Sequence, residues 1–96
     1  MLQKRRKLSS ADYYFQRGAS HYVKGAYDQA VTAFLKATDT GEQDDIVAAC
    51  IYCAISYYRK KEYDKTVKYL YKYLEYEPDG KHAIDVRRLI LDLKIE

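Results

Sequence analysis

A chain of 96 residues supports one domain with a modest core, and 48% hydrophobic with 32% charged residues is a globular balance rather than a disordered one. One proline and four glycines are too few for a turn-rich all-β chain, and no apolar run approaches the roughly 18 residues that span a bilayer. The net charge of +3 is concentrated in Lys4, Arg5, Arg6 and Lys7; the remainder carries 13 basic against 14 acidic residues, a net of −1, unlike a basic nucleic-acid-binding domain.

Residues 1–8 read as a basic, flexible lead-in. They offer a foothold on anionic lipid or nucleic acid, or an import-like tag; the simpler reading is a solvated tail. No apolar segment follows the basic patch, so no secretory leader is expected. Ser9 and Asp12 have the spacing of a capping box and start a helix at about 11–24. Tyr14, Gly18 and His21 fall on one stripe of that helix, and Phe15, Ala19 and Tyr22 on the next. Gly18 costs about 1 kcal/mol mid-helix relative to alanine, which predicts a second helix crossing closely over it. Gly25-Ala26-Tyr27 then forms a turn, with Gly25 suited to a left-handed helix end.

A second helix is expected at about 28–40, burying Ala30, Val31, Phe34 and Ala37. Thr38 to Asp45 is a loop whose acids lack the spacing of a calcium site. Helices at about 44–59 and 64–76 follow, the latter with Val67, Leu70, Tyr73 and Leu74 inward. Pro78-Asp79-Gly80 ends it, and a fifth helix spans about 81–95. The expected fold class is all-α, with about five helices, and residues 9–96 form a single domain.

A shift of 36 residues brings the pattern back: Ser20/Ser56, Tyr22/Tyr58, Lys24/Lys60, Tyr27/Tyr63, Asp28/Asp64, Val31/Val67 and Lys36/Lys72 are identities. Chance would supply about one in so short a window, so an internal repeat of antiparallel helix pairs is inferred. The pattern resembles the tetratricopeptide repeat family. In the first copy, about 11–44, Tyr14, Gly18, Gly25, Tyr27, Ala30, Phe34 and Ala37 fit its signature; in the second, about 47–80, Ala54, Tyr57, Tyr63, Leu70 and Pro78 do. The fifth helix looks like the family's terminal capping helix. Arg17 stands in place of the usual leucine, Thr66 and Tyr73 in place of packing alanines, Cys50 in place of a large aromatic, and the inter-repeat loop is about two residues longer than usual.

The resemblance implies a concave groove lined by the first helix of each repeat. By register it holds Phe15, Ala19, Tyr22 and Val23 from helix one, with Asp12 and Gln16. Helix three adds Ile51, Tyr52, Ile55, Tyr58 and Arg59, with Ala48, and helix five adds Val86 and Leu89, with His82, Asp85 and Leu93. Such an apolar, aromatic face calls for a protein or peptide partner with apolar or aromatic anchors, such as an amphipathic helix. It lacks the lysines and asparagines with which some family members grip a C-terminal carboxylate. Replacing Tyr22 and Tyr58 is expected to remove binding and leave helicity intact.

Other chemistry is weaker. Cys50 and Cys53 form a CxxC on one helical face, but the first does not open a helix after a strand and no further zinc ligands accompany them; packing is the expected role, in a reducing, cytoplasmic setting. A nuclear location is the alternative should Lys4 to Lys7 act in import. His21 and His82 lack ligand-spaced partners, and no nucleophile–base set or phosphate loop occurs, so neither catalysis, metal nor cofactor is expected. Lys65, Lys68 and Lys72 with Tyr69 and Tyr76 form a basic-aromatic stripe; RNA contact through it and the tail is a lesser alternative to a solvated face, and a membrane would be met only through the basic N-terminus. The apolar residues of helix five, among them Ala83, Ile84, Val86, Leu89, Ile90 and Leu91, leave a partly dry outer face, so a homo-dimer or assembly module is the main alternative to peptide binding.

Overall fold

The computed structural model describes residues 9–94; the basic lead-in, Ile95 and Glu96 lie outside them. The described chain is all-α: α1 (Ser10–Val23), α2 (Tyr27–Lys36), a 3₁₀ turn (Ala37–Thr40), α3 (Gln43–Arg59), α4 (Tyr63–Tyr76) and α5 (Ala83–Lys94). The capping box forms at the first helix. The Asp12 amide donates to Ser9 Oγ at 3.0 Å, and the Ser9 amide donates to Asp12 Oδ2 at 3.3 Å.

α1 pairs with α2 and α3 with α4, while α2 packs on α3 and α5 on α4. The two hairpin turns are built alike. In the first, Gly25 has φ 81° and donates to Tyr22 O at 3.0 Å, and Ala26 donates to His21 O at 2.9 Å. In the second, Lys61 has φ 64° and donates to Tyr58 O at 2.9 Å, and Glu62 donates to Tyr57 O at 3.0 Å. Each pair of bonds satisfies carbonyls left free at a helix C-terminus, as a Schellman motif does. The second turn therefore holds a lysine in a conformation that suits glycine.

Burial repeats at the same spacing. Gly18 and Ala54 are buried against Phe34 and Leu70 respectively. A Cβ on Gly18 would sit 2.5 Å from Phe34 Cδ1 and 2.9 Å from its Cζ, so the helices meet closely there, as the mid-helix glycine predicts. One core cluster holds Ala30, Val31, Phe34 and Cys53, with Phe15, Tyr22, Tyr57 and Tyr69 around it. A second holds Cys50, Ala54, Leu70, Tyr73, Val86 and Ile90, so α5 closes the second hairpin with its Val86–Ile90 stripe.

One boundary differs from the expectation. The second helix ends at Lys36, not near residue 40, and a 3₁₀ turn follows. Thr38 Oγ1 donates to Leu35 O at 2.7 Å, and Thr40 Oγ1 donates to Asp45 Oδ2 at 2.7 Å, so the threonines compete with helical hydrogen bonding and Gly41 at φ 76° closes the turn. Tyr73 turns inward with Leu70, as expected, and its hydroxyl accepts the His82 amide at 3.2 Å, tying α4 to the start of α5.

Candidate interaction groove

The groove forms because α1 and α3 each present two kinds of stripe. On α3, Cys50, Cys53 and Ala54 turn into the core, while Tyr52 and Ile55 remain 43% and 42% exposed. Four-residue spacing stacks Ile51 on Ile55 and Ile55 on Arg59 along the outer side. On α1, Phe15, Ala19 and Tyr22 take the facing position, with Val23 largely exposed at the end.

These side chains enclose two connected depressions. The first has a volume of about 500 Å³ and is lined by Phe15, Gln16, Ala19, Tyr22, Val23, Phe34, Tyr52 and Ile55. The second, about 250 Å³, is lined by Ile51, Ile55, Tyr58, Val86 and Leu89, with His82 and Asp85 at α5 and Ala54, Thr66 and Leu70 as its floor. Ile55 belongs to both and is the ridge between them.

Aromatic rings pack against one another along the first depression. The Tyr52 ring lies 5.6 Å from Phe15, edge-on, and 5.2 Å from Phe34. Tyr22 meets Tyr27 at 5.3 Å, and Tyr58 meets Tyr63 at 5.6 Å, 36 residues later on both sides. The two groove tyrosines thus brace the hairpin turns as well as edging the groove. Arg59 lines neither depression; its guanidinium carbon lies 5.9 Å from the Tyr22 ring centroid, a cation–π distance that sets it beside the edge of the first.

Of the residues expected in the groove, Phe15, Ala19, Tyr22, Val23, Tyr52 and Ile55 come together in the first depression, and Ile51, Tyr58, Val86 and Leu89 in the second. Val86 is itself buried, so it supports the floor from the core. Leu93 departs from the set: it shares the Val86 stripe, but seven residues carry it about 10 Å further along α5, where it lies with Tyr63, Asp64, Val67 and Lys94 beside the start of α4. Asp12 is spent on the capping box. Phe34 was expected only in the core; its ring is also floor of the first depression, since no Cβ on Gly18 blocks it.

The remaining candidate chemistry takes ordinary forms. Both cysteines are free and buried. Burial is the main cause that pushes the Cys50 thiol up, and it pushes Cys53 up to about 12, so both are neutral thiols at physiological pH. Among the described residues, no group of three or more His, Cys, Asp or Glu side chains could hold a metal ion. Tyr57 and Tyr69 stack at 5.7 Å; Lys65 Nζ lies 5.4 Å from the first ring, and Lys68 and Lys72 lie 5.7 and 5.8 Å from the second. Lys65 also pairs with Glu62 at 2.9 Å, and Lys60 bridges Asp28 and Glu62, joining the two hairpins. No described helix is long and apolar enough to cross a membrane.

Compared with protein-family models, with curated proteins and with solved structures, the chain matches none. What the residues define is an all-α chain with an open, two-part apolar groove.

Proposed function

We propose that the chain is a non-catalytic interaction module of the tetratricopeptide kind, which holds an apolar peptide or amphipathic helix of a partner protein in the groove between α1, α3 and α5. The observation that carries this is the about 500 Å³ depression with a nearly continuous aromatic and aliphatic lining, on a chain small enough that such a face would otherwise be a solubility burden. The repeat reading is supported by the matched turns at Gly25 and Lys61 and by helices α2 and α4 starting 36 residues apart, at Tyr27 and Tyr63. Peptides can be selected on the immobilised chain from a displayed random library. Their affinity should fall at least about tenfold in Ile55→Glu, since the ridge is common to both depressions, while far-UV circular dichroism and the melting midpoint stay put. Unchanged affinity refutes the groove.

A second reading rests on Ile84 and Leu91, 72% and 62% exposed on the outer side of α5. They favour self-association through that helix, which sedimentation over a concentration range would detect; a strict monomer refutes it.

A further inference from the structure

The charges around the groove are unevenly placed, and this bears on what the partner carries. Resting on the groove reading above, we propose that the occupant is a helical segment bearing a bulky apolar anchor and an acidic side chain one turn away. The anchor enters the larger depression and the acid meets Arg59.

Three observations converge. First, the two depressions differ in size, about 500 against about 250 Å³, with Ile55 between them. The larger takes an aromatic or leucine-sized side chain and the smaller a second, shorter one. Second, Arg59 follows Ile55 by four residues on α3, so its side chain emerges about 6 Å further along the axis and on the same face. It rests on Tyr22 and, among the described residues, makes no ion pair; the salt bridges in this region are taken by Lys60 and Lys65. A guanidinium held over an aromatic ring at the rim of an apolar socket is a ready partner for a carboxylate. Third, the opposite side of the groove carries Asp85 beside His82 in the smaller depression. An acidic group there would meet like charge, so the favourable place for the partner's acid is the Arg59 end. The two ends together fix the direction in which a polar, asymmetric helix would lie.

The geometry favours an acidic side chain over a free C-terminal carboxylate. Arg59 sits on an open rim, and no lysine or asparagine lines the first depression to hold a terminal carboxylate and its main chain.

Selection from a displayed random-peptide library on the wild-type chain and on Arg59→Glu tests this. Wild-type binders should be enriched in Asp or Glu three or four positions from an aromatic or leucine, and Arg59→Glu should reverse that enrichment to Lys or Arg. For one wild-type binder made synthetically, replacing the acid by lysine should weaken binding about tenfold in the wild type and strengthen it in Arg59→Glu. Amidating the peptide C-terminus should change nothing. Binders that depend on Ile55 but show no acid preference overturn this proposal and leave the groove standing. Loss of binding on amidation overturns it in favour of a terminal carboxylate. No binder sensitive to Ile55→Glu overturns both.

Discussion

The close contact of α1 and α2 can be tested by exchanging the pair at its centre. In the first hairpin the pair is Gly18 and Phe34; 36 residues on, it is Ala54 and Leu70. Alanine in place of glycine inside a helix gains about 1 kcal/mol. At Gly18 the new methyl would stand 2.5 Å from Phe34 Cδ1, and the ring has little room to yield. It is 4% exposed, with Tyr52 at 5.2 Å and Phe15 at 6.4 Å. Overpacking of this kind costs about 1–3 kcal/mol, so Gly18→Ala should come out about 1 kcal/mol less stable despite its better propensity. Phe34→Leu alone leaves a void and should cost about 1–2 kcal/mol. In the F34L background the methyl has space, and Gly18→Ala should then stabilise by about 1 kcal/mol. The substitution thus changes sign between backgrounds, a coupling of about 2 kcal/mol. Denaturant midpoints at constant m-value measure it. An effect of Gly18→Ala equal in both backgrounds within about 0.5 kcal/mol would refute the close-packed pair.

Lys61→Gly should stabilise the chain by about 0.5–1 kcal/mol, because a left-handed residue other than glycine costs about 1–2 kcal/mol and glycine recovers most of it. Gly25→Lys at the equivalent turn should lose about 1 kcal/mol, and thermal unfolding of the two variants in opposite directions is the check. The Cys53 thiol, pushed up to about 12 by burial, ionises more easily in the unfolded chain, so stability should be whole below about pH 9 and fall as pH rises from about 9 toward 12. The loss at pH 10 is on the order of 1 kcal/mol from this group, and Cys53→Ala should flatten that part of the stability–pH curve. Thiol titration of the native chain should be slow and follow opening; immediate stoichiometric reaction would show the burial to be wrong.

Much of the fold is legible in the residues because it depends on size at a few positions. Gly18, Ala30 and Ala37 are small where helices approach, Phe34 is large where they leave a gap, and Gly25 can take the positive φ of a tight helix end. Ser9 and Asp12 declare a cap by spacing alone. The second turn is harder to read, since Lys61 bears no mark of the left-handed conformation and only its register with Gly25 points there. Ser56 and Thr66, polar yet buried, follow from local geometry: each hydroxyl donates to the carbonyl four residues back, Tyr52 O at 2.9 Å and Glu62 O at 3.1 Å. The early end of α2 was hidden because the threonines after it have helical as well as turn options, and their hydrogen bonds decide only in three dimensions.

The candidate groove was readable as a face and not as a shape. Register places Phe15, Ala19, Tyr22, Tyr52 and Ile55 on one side, but it does not say that Ile55 divides the surface or that Phe34 reaches it from the core. Nor does it reveal that Tyr22 and Tyr58 pack on Tyr27 and Tyr63 at the turns. That packing changes which substitutions separate binding from stability. Removing Tyr22 or Tyr58 takes an aromatic pair from a hairpin turn as well as a wall from the groove, and such pairs contribute about 0.5–1.5 kcal/mol beyond buried area. Ile55 carries no such second duty: it is 42% exposed, forms the ridge, and touches both depressions. A charge at that position confronts a ligand in either half while leaving the turns and both core clusters unaltered, and this makes it the cleaner probe of the groove.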